Sequence, residues 1–136
     1  MQLISFADPD LSAGKNSEFF KSKTVFDRIK GKTVYRERPF LAYLPAKEVY
    51  DDETKLGRCG DEPVLFQGVF DLLAIGENDA WIIDYKYSVK NREQLKTDYC
   101  KQLDLYKKSL AKILKTDFDR IRTTIVNIRS GEQIDL

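Results

Sequence analysis

The stretch PVLFQGVFDLLAIGENDAWIIDYKYS, residues 63–88, leaves this chain few ways to fold. Two apolar runs rich in Val, Ile, Phe and Trp flank Gly76-Glu77-Asn78-Asp79, the pattern of two strands joined by a tight turn. Whether the loop counts two residues or four, its centre lies between Glu77 and Asn78, and positions equidistant from that centre face one another. Asp71 therefore falls opposite Asp84, with Cβ atoms about 4.5–5.5 Å apart on one face. Alternation along the strand puts Lys86 on the face of Asp84 and turns Ile83, Tyr85 and Tyr87 to the other side. Two carboxylates and an amine converge.

Directly opposed like charges destabilise a sheet, more so within apolar strands, unless something positive sits between them. A divalent cation answers that need. Magnesium takes oxygen ligands, one or two carboxylates plus waters and substrate phosphate, and this cluster can supply such a set. Lys86 could then orient or deprotonate an attacking water and balance charge on a phosphorane-like transition state. The plainer alternative is an Asp84–Lys86 pair on a solvated edge with Asp71 salt-bridged to some basic residue.

The chain contains no histidine, which removes a histidine general base and a Ser-His-Asp triad and leaves carboxylates, lysines and tyrosines for any chemistry. Its two cysteines, Cys59 and Cys100, lie far apart without a CxxC, so zinc and four-cysteine iron–sulfur sites are excluded and both are expected as reduced thiols. No apolar run approaches the roughly 20 residues of a membrane span. Met1 to Asp10 lacks the basic and apolar segments of a signal peptide, so a cytoplasmic protein without membrane contact is expected.

Length and composition, 136 residues with 42% hydrophobic and 33% charged, fit one globular domain spanning 1–136. Residues 17–30 read as a helix with Ser17 as N-cap and Phe19, Phe20, Phe26 and Ile29 as anchors ahead of Gly31. Thr33 to Leu44 favours strand, with Pro39 marking a bend or an edge. Residues 45–62 form a polar loop. From Arg92 to Lys115, Leu95, Tyr99, Leu103, Tyr106, Leu110, Ile113 and Leu114 recur at the spacing of an amphipathic helix. A strand from Ile121 to Ile128 precedes the Ser130-Gly131 turn. This order predicts an α/β sandwich around a mixed β-sheet.

Net charge is only +1, but it is unevenly spread. Residues 45–79 carry three basic and nine acidic side chains, net −6, while 85–115 carry nine basic and three acidic, net +6. The second segment could face phosphates, although a lysine-rich solvated helix would show the same composition.

Gly68-Val69-Phe70-Asp71, then Asp84-Tyr85-Lys86, then Gln102 and Tyr106 resemble the ordered G-x-x-D, D-Y-K and Q-x-x-x-Y signature of the RecB-type PD-(D/E)XK nucleases. Tyr35-Arg36-Glu37-Arg38-Pro39-Phe40 is similar to the strand that precedes the site in AddA-type nuclease domains, and Ile121 to Leu136 to their terminal strand and tail. The resemblance covers roughly residues 17–136. It implies a restriction-endonuclease-like core, a mixed sheet flanked by helices, belonging to the C-terminal nuclease module of a larger helicase-nuclease subunit. It further implies that Asp71 and Asp84 are metal ligands, that the Tyr85 backbone carbonyl is another, and that Lys86 is the catalytic lysine. Gln102 and Tyr106, one helical turn apart, would reach the site or the DNA backbone, with Tyr106 also part of the core stripe. Glu37 is implied as a supporting acid near the metal, against the simpler reading of a side chain paired with its flanking arginines.

The implied activity is metal-dependent hydrolysis of DNA phosphodiester bonds, an exonuclease module of an AddAB- or RecBCD-like double-strand break repair complex. Its cofactor would be Mg2+, with Mn2+ as the substitute. The implied partners are DNA, the helicase part of the same subunit, and an AddB-like partner subunit. The chain departs from the pattern in one respect: related domains carry an upstream helix with a histidine that completes the metal site, and this sequence has none. No GxxxxGK[ST] loop is present, so no nucleotide cofactor is expected here. A catalytically silent DNA-binding or subunit-docking module is the competing expectation.

Overall fold

The computed structural model describes residues 28–50 and 60–136. The expected helix over 17–30 and the middle of the expected 45–62 loop lie largely outside the described residues. Within them run β1 (Thr33–Pro45), α1 (Ala46–Val49), β2 (Pro63–Ile75), β3 (Ala80–Lys86), α2 (Arg92–Leu114), a 3-10 turn (Phe118–Arg120), β4 (Ile121–Asn127) and β5 (Glu132–Asp135). The strands form one sheet in the order β1-β2-β3-β4-β5. Every neighbouring pair is antiparallel except β3 and β4, which are parallel, as the intervening α2 requires. The mixed sheet flanked by helix is the α/β arrangement expected of a restriction-endonuclease-like core.

Local chemistry explains the elements. Asn91 caps α2: its side chain accepts from the Gln94 N–H at 2.9 Å, and the Gln94 side chain accepts from the Asn91 N–H at 2.9 Å, a reciprocal capping box. Lys115 closes the helix in the left-handed region, φ 54°, with the Thr116 N–H reaching back to the Ala111 carbonyl at 3.1 Å. Pro39 sits within β1, an edge strand of this sheet, where a missing N–H costs no interior ladder bond.

Leu95, Leu103, Leu110 and Ile113 of α2 pack on one sheet face against Phe40, Phe70, Leu73, Ile82 and Ile125. The other face buries Leu72, Ala74, Trp81, Ile83 and Val126 with Ile29. β1 and β2 do not keep one face throughout. On the α2 side lie Tyr35 and Phe40 of β1, and Phe66, Phe70, Leu73 and Ile75 of β2, so the alternation skips a step within each strand. The skip falls at Glu37 and Asp71: Arg36 pairs with Leu72 and Arg38 with Phe70, but the position between them is unpaired. Glu37 holds φ at 49°, which turns the strand over.

Candidate active site

β2 and β3 pair as the turn symmetry requires, from Ile75 with Ala80 to Leu72 with Ile83, and the ladder stops there, one step short of Asp71 and Asp84. The expected register is present, but the direct cross-strand pairing of the two aspartates is not. The Tyr85 backbone N–H instead donates to Asp71 Oδ2 at 2.9 Å, so a side chain replaces the ladder. β3 continues on its other edge, pairing Asp84 with Ile125, Tyr85 with Val126 and Lys86 with Asn127 of β4. The Ile128 N–H donates to the Lys86 carbonyl at 2.8 Å on that edge. The N–H and C=O of one strand residue leave by the same edge, so the Tyr85 carbonyl opens toward Asp71, into the gap between β2 and β3.

Asp84 is 5% exposed, and its Oδ2 is buried. The Lys86 ammonium approaches that oxygen at 3.0 Å as an ion pair. Burial pushes the Asp84 carboxyl above its ordinary range; Lys86 pulls it back in part and the neighbouring Asp71 carboxylate pushes it up again. Burial works against the charge on Lys86 as well, but Asp84 outweighs it and holds the ammonium above its ordinary value. Lys86 Nζ also lies 4.2 Å from the centre of the Tyr99 ring on α2, a cation–π contact that favours the same charge state. Of the two roles read from the sequence, these surroundings favour charge balance and hydrogen-bond donation over proton abstraction.

Gln102 and Tyr106 form a pair of their own. Gln102 Nε2 donates to Tyr106 Oη at 3.2 Å, while the Tyr106 ring is buried edge-on among Phe40, Phe66 and Phe70. Tyr106 is core, as its place in the apolar stripe required, and its hydroxyl rests over Gly68. A Cβ built at Gly68 would come within 2.8 Å of that oxygen and 2.9 Å of two Phe40 ring atoms. The glycine of the first motif is therefore a seat for the tyrosine of the third.

An oxygen-rich donor set suits a hard cation: Asp71, the buried Asp84 and the Tyr85 carbonyl. Among the described residues no group of three or more carboxylate, thiolate or imidazole side chains gathers in one place. Glu37 is accordingly not brought together with the two aspartates, and its side chain is exposed. Two residues at the site escaped the reading of the sequence. Tyr99 was visible only as a member of the helical stripe. Asn127, which pairs with Lys86 in the ladder and is 4% exposed, had no sequence signal beyond being a polar residue at the end of an apolar strand.

Comparison with known proteins gives a consistent picture. The family model described as the PD-(D/E)XK nuclease superfamily matches residues 19–135. A 96-residue segment is 33% identical to an ATP-dependent helicase/nuclease subunit of Clostridium acetobutylicum, covering 68% of this chain and 8% of that protein. The corresponding subunit of Desulforamulus reducens is 38% identical over 99 residues, 71% of this chain and 8% of its own length. That of Bacillus thuringiensis is 32% identical over 125 residues, 84% and 10% respectively. The chain thus spans about a tenth of the length of these relatives.

Proposed function

Because the chain belongs to the PD-(D/E)XK nuclease superfamily, we propose that it hydrolyses DNA phosphodiester bonds with a divalent cation, as the nuclease module of a helicase-nuclease subunit. The observation that carries this reading is the buried Asp84 carboxylate beside a second carboxylate, Asp71, with the Lys86 ammonium 3.0 Å from Asp84 Oδ2. Two neighbouring carboxylates, one of them buried, with one ammonium between them are short of positive charge unless a cation completes the group. Asp71, Asp84 and the Tyr85 carbonyl would hold the cation, magnesium or in its place manganese; Glu37 stands outside this set. Bound there, the cation supplies positive charge at the phosphate and lowers the pKa of water.

The chain's own residues do the rest. Asp71 accepts the Tyr85 N–H and thereby fixes the edge of β3 along which the Tyr85 carbonyl opens. Lys86, kept as an ammonium by Asp84, donates to a non-bridging phosphate oxygen and offsets the charge that grows there as water adds to phosphorus and the ester oxygen departs. Tyr99 limits where the ammonium can swing. Gln102, held by Tyr106, orients the α2 face that borders the site and stands available to the DNA backbone.

DNA is the substrate in this reading. The relatives are helicase/nuclease subunits by name, which supports a motor in the same polypeptide, and the role in double-strand break repair with an AddB-like partner follows by analogy. No described helix is long and apolar enough to cross a membrane. The test is DNA hydrolysis by the whole subunit: Asp84→Ala and Lys86→Ala should each abolish cleavage while DNA-stimulated ATP hydrolysis and folding persist. Near-normal cleavage by Asp84→Ala would remove this aspartate from the site.

A second reading, a silent DNA-binding or docking module, draws on the absence of a third ligating side chain among the described residues. Titration calorimetry with magnesium separates the two. Binding that disappears in Asp71→Asn and Asp84→Asn supports the enzyme, and no binding by the whole subunit supports the silent module.

A further inference from the structure

One residue in the connection from β3 to α2 is gripped at both of its backbone polar atoms by a single side chain. Asn127 Nδ2 donates to the Ser88 carbonyl at 2.9 Å, and Asn127 Oδ1 accepts from the Ser88 N–H at 3.3 Å. The amide thereby stands in for another strand residue and extends the β3–β4 ladder past Lys86. The same Oδ1 accepts from the Arg129 N–H at 3.1 Å, and Ser88 Oγ accepts from the Lys90 N–H at 3.0 Å, one residue before the Asn91 cap of α2. From β4 to the first turn of α2 the connection is tied down.

Yet Tyr87 and Val89, on either side of Ser88, are 76% and 80% exposed, more than any other large hydrophobic residue described. Single exposed apolar side chains are ordinary on mobile loops. Two of them, presented to water at fixed positions by a clamped loop next to Lys86, have the form of a preorganised contact surface. Arg129, whose guanidinium makes no ion pair among the described residues, adjoins it. With Ser88, Val89, Arg92 and Asn127 it lines a cavity of about 200 Å³. An open aromatic ring one residue from Lys86, in a segment of net charge +6, and a cation on the same Asn127 clamp that makes no ion pair among the described residues match the chemistry of a nucleotide strand.

We propose that Tyr87 is a stacking platform for an unpaired nucleobase, presented by the loop that Asn127 clamps, with Arg129, held by the same clamp, taking a phosphate of the same strand. The inference rests on reading Asp71, Asp84 and Lys86 as a nucleic-acid site, and deepens it by naming what is recognised beside the cut. Stacking is open to any unstacked base but closed to one inside a duplex, whose two faces are covered by the neighbouring base pairs. The platform therefore selects single strands without selecting sequence.

The experiment measures binding of a labelled oligothymidylate and of a matched duplex to the 136-residue chain by fluorescence anisotropy in EDTA, across a salt series. Tyr87→Ala should weaken single-strand binding roughly 5- to 150-fold and leave the salt slope and duplex binding unchanged. Tyr87→Phe should restore affinity. Arg129→Ala should lower the single-strand slope by about 0.7. Asn127→Ala should weaken binding in the direction of Tyr87→Ala, and the double variant should be no weaker than Tyr87→Ala alone. Should Asn127→Ala not fold, the Tyr87 pair still decides. No single-strand binding at all, an unaffected Tyr87→Ala, or equal loss on duplex overturns the proposal. Because no hydrolysis takes place in EDTA, a stacking effect that survives while Asp84→Ala retains cleavage would sink the catalytic reading and keep this one.

Discussion

An alanine at position 68 would drive its Cβ to 2.8 Å from the Tyr106 hydroxyl and 2.9 Å from the Phe40 ring. Neither ring can yield, since Tyr106 is wedged among three phenylalanines and Phe40 is stacked on Phe70 at 4.3 Å. Gly68→Ala should therefore cost about 1–3 kcal/mol, read as a lower urea midpoint with unchanged slope. Asp84 makes the opposite case. Its folded-state proton affinity is raised, so its contribution to stability is greatest below the unfolded value near 3.8 and is lost as pH rises through the higher folded value. In EDTA, Asp84→Asn should melt above the wild type at neutral pH, with the gap closing as pH falls toward 3.8. Magnesium should then raise the wild-type melting temperature and leave the variant's where it was. A parallel magnesium response in both proteins would count against Asp84 as a ligand.

At the scale of elements, the hairpin and α2 were legible because each repeats its own period several times. β5, four residues with Gln133 and Ile134 its only inward positions, offered too short a pattern to register. The turn in β1 and β2 was hidden for another reason: an alternating apolar pattern gives no warning of a residue that reverses the strand's face. Glu37 pays that conformational cost at φ 49°, where a left-handed side chain costs roughly 1–2 kcal/mol. Glu37→Gly should thus stabilise the domain by about 1 kcal/mol and leave DNA cleavage intact, since Glu37 stands outside the proposed ligand set. Lost cleavage in a stable Glu37→Gly protein would restore it as a metal-site acid. Asn91→Ala removes the α2 cap and should cost about 1 kcal/mol in chemical unfolding.

For the whole molecule, the proposed ligand set of two carboxylates and one carbonyl would leave most of an octahedral magnesium shell to water. The 136-residue chain alone should fold yet bind magnesium weakly and cut DNA slowly, and a longer chain with upstream sequence should gain in affinity and cleavage together. Equal cleavage by both at matched magnesium would show that the three donors suffice. By itself the sequence determined the hairpin register, because side chains alternate with a period of two about a turn whose centre is marked, and that register brought Asp71, Asp84 and Lys86 into one neighbourhood. Motif order pointed to the superfamily for the same local reason. Only the tertiary structure decided how the neighbourhood is built: that the ladder stops so Asp71 can take the Tyr85 N–H, that Tyr99 lies beside the Lys86 ammonium, that Tyr106 seats on Gly68, and that Asn127 clamps Ser88. Each of these joins residues far apart in the chain through packing or a lone hydrogen bond. Such contacts have no period, and so leave no trace in a sequence read one segment at a time.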